Sequence, residues 1–330
     1  MRNQKTQIAE GRTPKNILLE INLLGARAKI SMPYELKDPF LKRSMRVLPV
    51  VCGVTPGVSQ NQIEVTVEMG SPKLQINGSS AELHLSSDNS NEMASDAVFL
   101  VSKLLEKSLN ENGIFSAHAS AVSFGKNGIL LLGPSGAGKT TTAIYSCLDN
   151  KSIKYVTGNR AFLDSKTNKI IQGIPDFSLR SSSVFDEYTK FNLSQRLNLS
   201  KNTFSCSQKL QNFKMAFSPS QFGIEVGKVP LNLRAILLVR KMNSNFVKFE
   251  PEKSGKEELM NVYSSLCEFS EILPSVIVGA KLHYPDIFDA KIKTERLNFA
   301  ESLVKTIPVI YAEGRLSDLS KFIGGLLRRV

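Results

Sequence analysis

The stretch HASAVSFGKNGILLLGPSGAGKTTTA, residues 118–143 of 330, decides the fold. Two apolar runs joined by a turn at 125–128 predict a β-hairpin. The second run, ILLL at 129–132, leads into GPSGAGKT at 133–140, called the glycine loop below, and then into a segment of helical length. A buried strand, the pattern G-x-x-x-x-G-K-[ST] and a helix together predict a phosphate-binding loop, or P-loop.

The chemistry of the glycine loop explains this prediction. Glycines let backbone N–H groups converge on an anion, and the start of the following helix adds its unsatisfied N–H groups and positive dipole end. Lys139 is expected to bridge the β and γ phosphates, and the Thr140 hydroxyl to ligate Mg²⁺. The pattern predicts a nucleoside triphosphate, ATP or GTP, and does not by itself choose between them. The predicted nucleotide-binding residues of the loop are Gly133, Ser135, Gly136, Ala137, Gly138, Lys139, Thr140 and Thr141.

Composition and charge limit the classes of partner and of metal or disulfide site that the sequence predicts. The net charge of +12 would attract an acidic protein, a phosphorylated metabolite or nucleic acid, although no nucleic-acid recognition motif accompanies it. The most basic stretch is 189–228, where Glu225 is the single acid. The four cysteines (Cys52, Cys147, Cys206 and Cys267) are far apart, which predicts reduced thiols and neither a disulfide framework nor a zinc site.

Hydropathy predicts a soluble protein without a membrane segment, and the reduced thiols predict a cytoplasmic location. Residues 1–16 are polar and lack the apolar stretch of a signal peptide. The longest apolar runs have strand length, far short of the roughly 20 residues that span a bilayer.

The order of patterns predicts an α/β protein with two domains. Residues 1–112 form a β-rich N-terminal domain, with short apolar runs that include 46–54, and end in a helix over 92–110. Residues 113–330 are predicted to form a P-loop nucleotide-binding domain, because they contain the glycine loop and their strands alternate with helices, as in α/β proteins. Its predicted strands include 154–157, 160–164, 169–173, 233–241 and 307–314, and its predicted helices include 294–306 and 316–330.

The stretch quoted above resembles the HPr kinase/phosphorylase family, whose P-loop lies in a fold related to phosphoenolpyruvate carboxykinase. Weaker similarity extends to GIPDFSLR (173–180), VPLNLRAILLVRK (229–241) and IPVIYAEGRLSDL (307–319). The resemblance covers roughly 115–330. It implies an ATP- and Mg²⁺-dependent kinase that phosphorylates a hydroxyl of a protein, a peptide or a small molecule. It also implies that His118 lies close to the nucleotide and that homo-oligomers are common.

The sequence departs from this family some twenty residues after the loop. There the family usually has paired aspartates, one assisting Mg²⁺ and one acting as the catalytic base. This chain has Gly158 and Asn159 at the matching place, followed by Arg160. Asn159 is expected to ligate Mg²⁺ or to orient a water or hydroxyl, but an amide is no base at neutral pH. Arg160 is expected to contact phosphate or substrate.

Three explanations of this departure stay open. A nearby carboxylate (Asp164, Asp176 or Asp186) replaces the base, and Asp176 is preferred because its segment should return to the edge of the site. Alternatively, the acceptor needs no protein base, since phosphoryl transfer depends largely on positioning and electrostatics. In the third explanation transfer is lost, and the chain is a nucleotide-binding regulatory or scaffolding protein.

Overall fold

The computed structural model describes residues 16–44, 62–71, 73–85, 89–180, 214–242, 248–251, 255–272, 276–277, 282–283 and 286–329. Several sequence predictions therefore lie outside the described residues: Asp186, Cys52, Cys206, the strand at 46–54, and the basic stretch as far as residue 213.

The first part of the chain forms a five-stranded mixed sheet in the order β1-β2-β3-β5-β4. Alternate side chains such as Ile30 and Met32 are fully buried on one face, as expected of a sheet with one solvated side. In chain order its elements are β1 (Asn16–Leu23), β2 (Ala26–Pro33), α1 (Lys37–Ser44), β3 (Gln62–Met69), β4 (Lys73–Asn77), β5 (Ser80–Leu85) and α2 (Ser90–Glu111).

The helix predicted over 92–110 is confirmed as α2. Its N-terminus is capped by Asn89, whose side chain accepts a hydrogen bond from the Asn91 N–H. Most of α2 is buried, including the charged side chains of Lys103 and Glu106. Buried charged groups require hydrogen-bond or ion-pair partners. The partners of Glu106 lie next to the candidate site and are described below.

The elements after residue 113 build a larger sheet and its covering helices. They are β6 (Ile114–His118), β7 (Ser120–Phe124), β8 (Asn127–Leu132), α3 (Lys139–Asp149), β9 (Lys154–Thr157), β10 (Arg160–Asp164), β11 (Lys169–Gly173), β12 (Phe177–Arg180), β13 (Lys214–Phe217), β14 (Leu231–Lys241), β15 (Lys248–Pro251), α4 (Lys256–Cys267) with a π-helical continuation (Glu268–Ile272), β16 (Val276–Ile277), β17 (Leu282–His283), α5 (Ala290–Thr306), β18 (Val309–Gly314) and α6 (Leu316–Arg329).

Nine of these strands form one mixed sheet. Its main path runs β6-β10-β11-β14-β8-β7-β9, with β18 beside β14 and β15 beside β18. The central strands β8, β14 and β18 are parallel, whereas the other pairs in this sheet are antiparallel. The carboxyl ends of the three parallel strands therefore meet at one edge, where the glycine loop follows β8.

Burial on both faces explains the continuous apolar run in β8. Ile129 and Leu131 pack in the cluster that contains α3 and α6, while Leu130 and Leu132 pack in the cluster with α4 and α5. Helices thus cover both faces of the sheet around β8.

These sheets and helices confirm an α/β protein. The predicted boundary after residue 112 stays a prediction, and Phe162 and Ile174 pack in the same core as the first sheet and α2. Within the described part of the chain, no helix combines the length and apolarity needed to cross a membrane.

Candidate functional site

The glycine loop connects β8 to α3 at the edge where the parallel strands end. Gly138 caps α3 with a φ of 95°, a left-handed conformation that residues with a Cβ atom disfavour. The first helical hydrogen bond runs from the Thr142 N–H to the Gly138 carbonyl (2.8 Å). The preceding N–H groups of the first turn are those that a helix leaves without internal partners, so they suit an anion.

Lys139 is folded back over the loop. Its side chain is buried, and its Nζ donates to the carbonyl oxygens of Gly133 (2.7 Å) and Pro134 (3.2 Å). A phosphate oxygen that entered the loop would compete with these two carbonyl groups for the ammonium. Ser135 and Gly136 are exposed at the tip of the loop, so the entrance faces solvent.

Thr140 belongs to a cluster of two hydroxyl groups and one carbonyl. Its Oγ1 donates to the Gly158 carbonyl (2.7 Å) and lies 3.3 Å from the Ser120 Oγ, which also donates to Gly158 at 3.2 Å. Because the Thr140 proton points to a carbonyl, its oxygen lone pairs remain available to a cation. Hydroxyl oxygens are hard ligands that suit Mg²⁺ together with water and phosphate oxygens.

Gly158 occupies a space too small for any side chain. A Cβ atom there would come within 3.0 Å of Tyr155 Oη, of Phe177 Cβ (2.7 Å) and of Thr140 Cγ2 (2.9 Å). Tyr155 is fully buried, and burial is the main reason that its pKa is raised well above the ordinary value. A neutral tyrosine therefore fills the region where an aspartate at 158 would have to extend.

Asn159 and His118 lie next to this cluster. Asn159 is half-buried, and its backbone carbonyl accepts from the Ala119 N–H (3.2 Å). Among the described residues, none forms a hydrogen bond with its side-chain amide. His118 stacks on Phe269 (5.7 Å between ring centroids), and its Nδ1 lies 3.3 Å from Glu268 Oε1. The roles predicted for both residues stay predictions.

Arg160 begins β10 and is fully buried. Its Nη2 forms an ion pair with Glu106, and its Nη1 donates to Ser102 Oγ (2.9 Å). Burial is the largest influence on the pKa of Arg160 and lowers it, while Glu106 acts in the opposite direction. These contacts anchor β10 to α2 directly after Gly158 and Asn159. The predicted contact of Arg160 with phosphate or substrate stays a prediction.

Glu106 is satisfied by several donors. Besides Arg160, it accepts from the Ser116 N–H and Oγ (3.2 and 2.8 Å) and from Asn110 Nδ2 (3.0 Å). Asn110 in turn accepts from Arg296 Nη2 (2.8 Å) on α5. This buried network joins two helices to strands β6 and β10 and holds the backbone next to Thr140.

The two described candidates for the missing base have different surroundings. Asp164 lies at the far end of β10 and accepts from Thr167 Oγ1 (2.6 Å) and the Lys166 N–H (3.0 Å), as a turn cap does. Asp176 immediately precedes Phe177, whose Cβ faces Gly158. Burial raises the pKa of Asp176, which makes its carboxylate a better proton acceptor.

The fold thus brings Lys139, Thr140 and Gly158 together, with Asp176 in the segment that packs against them. Ser120 and Glu106 were missed by sequence reasoning. A polar residue between the alanines of a buried strand could have indicated Ser120, and a carboxylate inside an apolar helix could have indicated Glu106. The described residues contain no group of three or more His, Cys, Asp or Glu side chains suited to a metal ion. The chain matches no protein-family model and no curated protein.

Proposed function

We propose that the glycine loop binds the phosphates of a nucleoside triphosphate, ATP or alternatively GTP, together with Mg²⁺. The observation that carries the proposal is the start of α3. Lys139 and Thr140 open this helix beyond the left-handed Gly138, at the carboxyl end of a buried parallel strand. Anions favour such a helix start, and Thr140 supplies a hydroxyl oxygen whose proton is already directed elsewhere. Mg²⁺ held there would neutralise charge that develops on the phosphates.

The proposed fold family is that of HPr kinase/phosphorylase. The antiparallel pairing of β7 with β8 supports it, since the resemblance included a hairpin ahead of the loop. Within this proposal, the chain is a kinase that transfers the γ-phosphate of ATP to a hydroxyl of a protein, a peptide or a small molecule. Lys139 would stabilise the transferred group, and Asn159 would orient the acceptor.

Asp176 is the base in this proposal. Its raised pKa and its position beside Phe177 support this choice over Asp164, whose carboxylate caps a turn. It would accept the hydroxyl proton as the oxygen attacks the γ-phosphorus, while the bond from that phosphorus to the bridging oxygen breaks and leaves ADP.

A second function is favoured by the packing at Gly158. Because a Cβ at this position would overlap three neighbours, the bend between β9 and β10 that carries Gly158 has no room for a carboxylate beside Thr140. This supports a protein that binds ATP and regulates or scaffolds a partner without transferring phosphate.

Binding and transfer are tested in turn. Calorimetry with Mg²⁺ and ATP should detect binding by the native chain and its loss in Lys139→Met. The control Lys126→Met changes an exposed lysine in the hairpin turn, at the opposite end of β8, and should bind as the native chain does. Failure of the native chain to bind ATP or GTP would refute the phosphate-loop proposal.

For transfer, the protein is incubated with γ-labelled ATP, Mg²⁺ and a cell extract. Label that enters an acceptor with the native chain but not with Lys139→Met supports the kinase. Asp176→Asn should then slow labelling by about 10²- to 10⁴-fold if Asp176 is the base. Tight ATP binding without any labelled acceptor would instead favour the regulatory protein.

A further inference from the structure

The carboxyl end of β14 lies directly against the glycine loop. Strands β8 and β14 are parallel, and Leu132 is the register partner of Leu238. Three residues further along β14, the Lys241 N–H donates to the Ala137 carbonyl (2.8 Å). The last residue of β14 therefore joins the loop by a backbone hydrogen bond.

The side chain of Lys241 also runs across the loop. A Cβ on Gly138 would lie 2.6 Å from the Lys241 Cβ and 3.6 Å from its Cγ and Cδ. Gly133 is similarly close to β14, since a Cβ there would lie 2.8 Å from the Val239 carbonyl oxygen. Two glycines of the loop are thus needed for contact with β14 as well as for their positive φ values.

The position of its stem determines what the Lys241 ammonium can reach. The ammonium nitrogen is two bonds beyond Cδ, and Cδ lies over Gly138, the residue that caps α3. Phosphates bound at a helix start lie against its first N–H groups. The half-buried Lys241 side chain can therefore extend to an anion held there.

We propose that Lys241 is a second phosphate-binding cation, which contacts the phosphates of the nucleotide from β14 while Lys139 contacts them from α3. This inference rests on the proposed binding of a nucleoside triphosphate. Two lysines at one anion would each add a charge-assisted contact, which is stronger than a neutral hydrogen bond. Because AMP lacks the β and γ phosphates that a phosphate-binding loop holds, Lys241 would then favour ATP and ADP over AMP.

The competing role of Lys241 is purely structural, in which only its stem packs on Gly138. Lys241→Met separates the two roles, since methionine keeps an unbranched apolar stem and removes the charge. The neighbouring Arg240→Met is the matched control. Successive strand residues point to opposite faces, and Arg240 is largely exposed, with its Nε 3.6 Å from Glu313 Oε1.

The experiment measures dissociation constants for Mg²⁺–ATP, ADP and AMP by calorimetry at low and high salt, with thermal melting as a check on folding. Lys241→Met is expected to weaken ATP and ADP binding about tenfold or more and AMP binding much less, with a smaller loss at high salt. The dissociation constants of Arg240→Met for the same nucleotides should stay within about twofold of those of the native chain.

The outcomes separate this inference from the proposed function. If Lys241→Met binds ATP as tightly as the native chain while Lys139→Met does not, Lys241 has only a structural role and the inference is wrong. If the native chain binds no nucleotide, the phosphate-loop proposal fails and the inference with it. Lys241→Arg, which keeps the charge, should recover most of the affinity that Lys241→Met loses.

Discussion

Replacing Gly158 with alanine would place a methyl group in a space that three side chains already fill. Its Cβ would come within 3.0 Å of Tyr155 Oη, Phe177 Cβ and Thr140 Cγ2. The Phe177 Cβ is attached directly to the backbone, so no side-chain rotation removes that overlap. Adding a methyl group to a packed core costs about 1–3 kcal/mol, and we expect Gly158→Ala to reach at least the upper end of this range.

Tyr155→Phe tests the origin of this cost. The Tyr155 hydroxyl is buried and has no hydrogen-bond partner among the described residues, and burying such a group costs about 1–3 kcal/mol. Tyr155→Phe alone should therefore be neutral or stabilising. The double variant should lose less stability than the two single changes together predict, with a coupling energy of about 1 kcal/mol or more.

Urea unfolding followed by far-ultraviolet circular dichroism measures these changes, because the chain has no tryptophan to report by fluorescence. Gly325→Ala is the control, since Gly325 lies inside α6 and an added Cβ there would meet open space beyond the helix's own backbone. It should stabilise the chain by up to about 1 kcal/mol. A Gly158→Ala variant within about 0.5 kcal/mol of the native chain would refute the reasoning about this space.

Three further predictions concern the surroundings of the loop. Glu106→Gln leaves the fully buried Arg160 without its counter-charge and should destabilise the fold by about 3–5 kcal/mol, measured by urea unfolding; a variant as stable as the native chain would contradict the structural importance of this pair. Ser120→Ala removes the hydroxyl that lies beside Thr140 and donates to the Gly158 carbonyl, and it should weaken the dependence of ATP binding on Mg²⁺, measured by magnesium titration. An unchanged titration would show that Ser120 has no part in the Mg²⁺ site. The pKa of Asp176 is raised in the folded chain, so the folded state binds the proton more tightly and native stability falls as pH rises from the ordinary pKa through the raised one. Asp176→Asn should lack this fall and melt higher than the native chain above that window; equal melting temperatures across the window would contradict the raised pKa.

Local patterns were enough for the elements around the loop. The turn at 125–128, the apolar run at 129–132 and the glycine loop predicted a strand, a loop and a helix, and the structure contains β8 and α3 there. Helical spacing likewise predicted α2 over most of its length. Such predictions succeed because hairpin turns, helix caps and hydrophobic periodicity depend on residues close together in the chain.

The surroundings of the loop depend on residues far apart in the chain. Arg160 pairs with Glu106 across 54 positions, and Lys241 contacts Gly138 because β14 lies beside β8. Sequence spacing specifies neither pairing, since strand order arises only when the whole sheet assembles.

Gly158 also shows the difference between what the sequence determines and what the tertiary structure decides. The sequence reveals that no carboxylate stands at this position, but only the folded chain shows that Tyr155 and Phe177 leave it no room. Close packing is a property of side chains brought together from different elements, and it has no local signature in the sequence. The residue types of the loop therefore determine its chemistry, whereas the tertiary structure decides which groups surround it.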